Sequence, residues 1–381
     1  MKRIRLAMVG GGEGAFIGAV HRIAARIDDR YTLVAAAPSS DAERARRSGA
    51  ALGLAPDRVY ADFNEMARSE STRPDGAEVV AIVTPNHLHH DVAMACLDAG
   101  LHVVCDKPLT RTLAEAQALL ERTRASGRIF AVTYTYSGYP MVRQAREMVA
   151  AGELGDIRVV HAEYLQDWLA TPLESSGHKQ AAWRTDPRFS GEAGCLGDIG
   201  THAFHLSRFI SGLEVTELSA ELNTFVPGRR VDDDARVRLR FANGARGHVW
   251  ASQVATGHAN ALSIRVYGTK ASVAWQQEAP ETLAFSRLGE APQTLRRGAA
   301  GAGPAAQAAT RVPGGHPEGY LEAFAQLYRD LADRIEARRD GRAPPSHAAW
   351  LPDIEQGVEG MRFVDAALRS HRTGARWIEF G

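Results

Sequence analysis

Asp198 and His202 are the residues of this chain best suited by type and spacing to move a proton. They lie in the stretch Gly191-Glu-Ala-Gly-Cys-Leu-Gly-Asp-Ile-Gly-Thr-His-Ala-Phe-His205. Side chains four apart are neighbours on a helix surface, and Leu206, Phe209 and Ile210 extend an apolar stripe to a capping Gly212. The pattern predicts a helix that presents a carboxylate and an imidazole from one face. Gly191, Gly194, Gly197 and Gly200 are costly inside a helix, which predicts that they clear room for a flat ring.

A second group stands at the end of an earlier strand. Leu101-His-Val-Val-Cys105 reads as a buried strand that delivers Asp106-Lys107-Pro108 at its tip, and Thr112 with Glu115 forms a capping box for the helix that follows. The chain opens the same way. Ile4 to Val9 is a strand, Gly10-Gly-Gly-Glu-Gly-Ala-Phe-Ile-Gly18 a glycine turn, and Val20, Ile23, Ala24 and Ile27 one face of a helix. Such a turn lets backbone amides and a helix N-terminus meet a pyrophosphate. Gly10 and Gly12 fill the first two positions of a dinucleotide fingerprint. Position 15 is Ala, and Gly18 takes the third role three residues late, with Phe16 and Ile17 placed to cover phosphates.

The strand Tyr31–Ala37 ends at Pro38-Ser-Ser-Asp41, where a ribose-binding acid usually stands. Either Asp41 replaces that acid, or Ser39, Ser40 and Arg44 receive a 2′-phosphate, so NAD is expected and NADP stays open. Val79–Val83 empties into Thr84-Pro-Asn-His-Leu-His-His90, which makes Thr84, Pro85, Asn86 and His89 a candidate cofactor wall. The histidines there lack a standard metal-ligand spacing, and no metal is expected.

Alternating strands and helices stop near Tyr136. From there long period-2 strands follow: Ile157–Trp168, Val215–Val226, Ala235–Phe241, Ala245–Gln253 and Leu262–Tyr267. The fold expected is an α/β Rossmann domain over residues 1–135 and an α+β domain over residues 136–381, with a large, mostly antiparallel open-faced sheet. Residues 289–317, rich in Gly, Ala and Pro, read as a mobile surface loop. Thr171 to Arg188 is too long for a simple turn, and long loops are often functional.

Lys plus Arg and Asp plus Glu number 45 each among 381 residues. That balance leaves no net basic field for nucleic acid or anionic lipid. Three cysteines without a C-x-x-C argue against a disulfide framework, and no segment approaches the roughly 20 apolar residues of a membrane span. A cytoplasmic protein with a small-molecule substrate is the expectation.

The glycine turn, Asp106-Lys107-Pro108 in place of a usual Glu-Lys-Pro, and Asp198-Ile-Gly-Thr-His202 together resemble the Gfo/Idh/MocA family, along nearly the whole chain. The resemblance implies NAD(P)-dependent oxidation or reduction of a sugar or cyclitol hydroxyl in a homodimer or homotetramer. It makes Lys107 and His202 the proton-transfer groups, with Asp198 beside them. Hydride leaves a carbinol carbon only as its hydroxyl loses a proton, so a base must lie within hydrogen-bond reach of that oxygen. Position at the domain junction or in the long loop makes Tyr136, Gln166, Trp168, His178 and Lys179 the expected substrate shell, with Lys107, Asp198 and His202. Trp183 and Arg184 are expected nearer the nicotinamide. Two other readings fit the same motifs: a glycosidase that cleaves by transient ring oxidation and elimination, and a non-catalytic nucleotide sensor.

Overall fold

The computed structural model describes residues 2–381. The chain divides into two compact units, one containing residues up to Thr135 together with Phe324–Val358, the other Tyr136–Ala323 with Glu359–Gly381. A second domain running unbroken from 136 to 381 is therefore corrected. The returning segment belongs to the first unit because its side chains are locked there. Tyr328 bonds His21 through its hydroxyl, at 2.7 Å, and accepts from the Tyr31 hydroxyl on its carbonyl, at 2.8 Å. Arg30 pairs with Asp333 at 3.0 Å. A methyl group on Gly357 would meet Leu109 and Val132, each at 2.9 Å.

In the first unit, β1 (Ile4–Gly10), β2 (Tyr31–Ala37), β3 (Val79–Val83), β4 (His102–Cys105) and β5 (Phe130–Val132) form a parallel sheet in the order β2-β1-β3-β4-β5 among the described residues. β3 is buried from end to end, as strands covered on both faces must be. β1 pairs with β3 so that Gly10 lies opposite Val83. The glycine turn and the Thr84 loop therefore leave the same edge, at the point where strand order reverses and open α/β sheets bind ligands.

The second unit holds nine described strands: β6 (Ile157–Leu165), β7 (Val215–Asn223), β8 (Asp234–Phe241), β9 (Arg246–Ser252), β10 (Ala261–Gly268), β11 (Ala271–Gln276), β12 (Thr282–Arg287), β13 (Gln293–Arg296) and β14 (Ile378–Glu379). Their order is β13-β12-β11-β10-β6-β9-β8-β7-β14, antiparallel except for the β6–β9 pair. The expected loop over 289–317 is corrected. It contains β13 and the helix Pro304–Ala309, whose Ala306 and Ala309 are fully buried. Arg297 organises the rest from inside, paired with Glu281 at 2.6 Å and Glu318 at 2.9 Å.

The stretch bearing Asp198 and His202 is helical but not uniformly α. Leu196–Gly200 is a π-helical turn that leads into the α-helix Thr201–Ser211. Asp232 anchors its start, accepting from the amides of Gly194 at 2.6 Å and Leu196 at 2.8 Å. Gly194 and Gly200 prove to serve packing within the chain. A methyl group on Gly194 would lie 2.1 Å from the Asp232 carbonyl oxygen, and one on Gly200 would touch Leu196 and Ala251 at 3.3 and 3.4 Å. Clearance for a ring is not what these two positions are for.

Candidate functional site

In the first unit the glycine turn is shaped so that only glycine fits. Gly10 has φ +84°, and a methyl group there would lie 2.9 Å from the Val83 carbonyl oxygen; one on Gly12 would lie 2.7 Å from that of Pro38. Gly18 approaches most closely, since its added carbon would be 2.4 Å from the Gly11 Cα. It thus packs the helix Phe16–Ile27 against the turn, which is the third fingerprint role. That helix has no acid in its first turn, leaving its amides and positive dipole end to an anion. Phe16 is 72 % exposed at the helix start, with Ile17 half-buried behind it.

Around the turn, the Thr84 hydroxyl is buried and has no partner among the described residues, an orphan of the kind a bound group satisfies. Pro85 is half-buried and Asn86 buried beside it. Ser39 accepts from the Asp41 amide at 3.1 Å, Asp41 caps the next helix by accepting from the Arg44 amide at 2.7 Å, and Ser40 is exposed. The glycine cradle, the acid-free helix start and the orphan hydroxyl fit a dinucleotide.

His89 is a correction. It is fully buried, with its ring nitrogens on the carbonyls of Pro108 at 2.9 Å and Thr84 at 3.0 Å. It ties the tips of β3 and β4 together and presents nothing to a ligand. Burial pushes its imidazole down, the neighbouring Asp106 and the carbonyl bonds only partly opposing this.

Asp106 sits on a chain of buried groups that the sequence did not disclose. Its Oδ1 accepts from Thr133 at 2.7 Å and pairs with His21 Nε2 at 3.0 Å, while His21 Nδ1 meets Tyr328. Burial opposes ionisation, but His21, Thr133 and His89 outweigh it and hold the carboxyl below its ordinary range. Lys107, half-buried, follows directly on this fixed carboxylate.

In the second unit, Asp198 accepts from the Gln253 amide at 2.9 Å and lies 3.6 Å from the Arg184 guanidinium. His202 is 7 % exposed, its ring edge-on to Tyr136 with centroids 4.8 Å apart. The Tyr136 hydroxyl bonds that of Tyr164, which donates to Asn260 at 2.7 Å; Gln166 donates to the same Asn260 oxygen at 2.7 Å. Trp168 donates to Gln166 at 3.0 Å. Burial pushes Tyr136 up to about 12, so its phenol is a neutral donor near pH 7. Tyr136, Gln166, Trp168, Asp198 and His202 therefore belong to one polar wall.

The remaining candidates lie at its margin. His178 is exposed and caps the helix Lys179–Arg184 by accepting from the Ala181 amide at 3.2 Å, and Lys179 is exposed beside it. Trp183 stacks under Arg184 at 4.3 Å, and Arg184 is held toward Asp198. Sequence reasoning missed Tyr164, Gln253 and Asn260. Tyr164 near the end of β6 precedes Gln166, just past that strand, by two, so period-2 alternation could have found it. Gln253 and Asn260 depend on cross-strand pairing and left no such signal.

A parallel sheet with a glycine cradle at its switch point, joined to an antiparallel unit bearing an Asp–His helix, defines a nucleotide-dependent oxidoreductase. The chain belongs to the GFO/IDH/MocA family: residues 4–134 match the model described as oxidoreductase family, NAD-binding Rossmann fold, and residues 142–274 match the GFO/IDH/MocA C-terminal domain. An uncharacterized oxidoreductase, YfiI of Bacillus subtilis, is 38 % identical over 100 % of this chain and 97 % of its own. A levoglucosan dehydrogenase of Pseudarthrobacter phenanthrenivorans is 30 % identical over 78 % of this chain and 79 % of its own. The crystal structure of an inositol dehydrogenase homologue from Azotobacter vinelandii, complexed with NADH and myo-inositol, is 39 % identical with a TM-score of 0.91, covering 99 % of this chain and 98 % of that one. The protein is an NAD-dependent oxidoreductase of this family.

Proposed function

We propose that the protein exchanges a hydride between NAD and a secondary hydroxyl on the ring of a cyclitol or sugar. The observation that carries this reading is the polar wall around Asp198 and His202, where Tyr136, Tyr164, Gln166 and Asn260 are cross-linked by hydrogen bonds. Rings bearing many hydroxyls need such a set of fixed donors and acceptors, with aromatic faces for their C–H surfaces. The levoglucosan dehydrogenase and the myo-inositol complex among the relatives support the same substrate class.

When bound, NAD supplies the hydride acceptor. Gly10, Gly12, Phe16, Ile17, Ser39, Ser40, Thr84, Pro85, Asn86, Asp106 and Lys107 hold it, with Trp183 and Arg184 toward its nicotinamide. Lys107 and His202 share the transfer of the hydroxyl proton, and Asp198, fixed by Gln253, orients the reacting hydroxyl. Tyr136, Gln166, Trp168, His178 and Lys179 bind the rest of the ring. The catalytic unit is a homodimer or homotetramer, which light scattering of the purified protein checks.

The experiment is a panel of inositols, free sugars and aryl glycosides offered with NAD, reading reduced nicotinamide and leaving-group release together. Reduced nicotinamide formed in proportion to ring alcohol is expected. Aglycone release without net reduction would replace this reading with redox-assisted cleavage, and silence on every polyol with NAD bound would replace it with a sensor.

A further inference from the structure

The first unit has a second concavity, at the edge of the parallel sheet where strands begin. A cavity of about 450 Å³ is lined there by residues including Arg5, Glu78, His102, Arg128 and Arg338. Glu78 and His102 stand at the starts of β3 and β4, and Arg128 just before β5. The glycine cradle and Lys107 lie at the other ends of these strands, so the two sites are distinct.

Most of its carboxylate oxygens are engaged and several donors are not. Glu70 gives both oxygens to Arg58, Tyr60 and the Ala77 amide. Glu78 holds the amide of Arg5 at 3.0 Å and its guanidinium at 3.4 Å. Arg73 is paired with Asp57 and Asp75. Arg128 and Arg338, by contrast, have no side-chain hydrogen bond or ion pair among the described residues, and Arg128 Nε is buried without an acceptor. His102 is 7 % exposed. Its Nδ1 accepts from the Ile129 amide at 2.9 Å, which places the ring proton on Nε2, a further donor without a partner among the described residues. Arg128 is half-buried and Arg338 exposed; the buried Arg229 is instead matched by Glu174 and Asp233.

We infer that this cavity is a binding site for a phosphorylated small metabolite, with Arg128, Arg338 and His102 Nε2–H as the donors to its phosphate oxygens. Guanidinium groups match phosphate in charge and fork geometry. The volume falls within the roughly 300–1,000 Å³ of small-molecule sites, leaving room for an organic portion beyond the phosphate. Helix C-termini also attract cations, but that effect fades within the last turn and leaves these donors unbonded.

The test uses the whole protein saturated with NADH, so that the glycine cradle is filled, titrated calorimetrically with inorganic pyrophosphate at constant ionic strength. One saturable site is expected, weakened about tenfold or more by R338Q, which alters an exposed helix position, and likewise by R128Q. A second readout is melting temperature with and without pyrophosphate, expected to rise in the parent protein and not in the variants. The inference is overturned if pyrophosphate gives no saturable binding, or if binding is lost once NADH is present. It is also overturned if R338Q and R128Q leave the affinity unchanged, or if they lower the melting temperature equally with and without pyrophosphate, as arginines serving only helix ends would.

Discussion

Replacing Gly18 with Ala sets two physical effects against each other. Gly18 lies inside the helix Phe16–Ile27, and at an ordinary interior position Ala would stabilise the helix by about 0.8–1.0 kcal/mol. Here the new methyl carbon would sit 2.4 Å from the Gly11 Cα, 2.9 Å from its carbonyl oxygen and 3.1 Å from its carbonyl carbon. Carbon pairs rest at about 3.5–4.0 Å, so the helix and the turn must separate by about 1 Å. The atoms in the way are backbone and cannot rotate aside. Forced overpacking of this kind costs about 1–3 kcal/mol, which exceeds the propensity gain over most of its range. The displacement also falls on the turn proposed to receive the pyrophosphate, so the loss is expected to be larger for NADH binding than for folding. Thermal melting and fluorescence titration with NADH would show a modest fall in Tm and at least about a tenfold rise in Kd. A higher Tm with unchanged NADH affinity would refute the assignment of Gly18 as the packing glycine of the cradle.

Two further outcomes follow from individual contacts. Gln253→Leu keeps the side chain's bulk but removes the bond that fixes Asp198; kcat should fall about tenfold with NADH affinity unchanged, a split that steady-state kinetics beside NADH titration can read. His102 gives a pH dependence. Burial, reinforced by Arg128 and Arg338, pushes its imidazole down from 6.5 to about 4, so the unfolded chain takes up a proton there that the native state refuses. Stability from this group is complete above about pH 6.5 and drains as pH falls toward about 4, by about 3 kcal/mol at about 1.4 kcal/mol per unit. Denaturant melts across that window should lose this slope in His102→Gln, and an unaltered slope would show that His102 is not buried neutral.

What the sequence made legible was whatever rests on local pattern. The largely β-branched run Val79–Val83 read as a buried strand, and glycines following a strand marked the cradle before any contact was known. Asp198 and His202 were found by spacing, yet that same spacing could not reveal the π turn at Leu196–Gly200, because residues four apart are neighbours in either helix. Turns of that kind often mark functional sites. The return of Phe324–Val358 to the first unit was hidden for a related reason. An amphipathic helix announces that it has an apolar face, not which sheet will cover it. Composition misled at residues 289–317, where alanines that read as low complexity are small residues packed tightly. His89 and Gly194 were misjudged because their roles depend on backbone atoms far away in sequence, at Pro108 and Asp232, and Gly200 because its role depends on the Ala251 side chain of a distant strand.

The central claim concerns proton transfer at a ring alcohol held beside NAD. Lys107→Met keeps the length of the side chain and removes its amine, and its most direct measurement is turnover of myo-inositol, or of the best polyol in the panel, beside NADH affinity in the same preparation. The account predicts that turnover at saturating NAD falls by at least about a hundredfold, the lower end of what a general acid–base group contributes, while NADH, which Lys107 holds together with the whole glycine cradle, still binds with a loss of affinity well below that. Full turnover in Lys107→Met, with NADH bound normally, would contradict it.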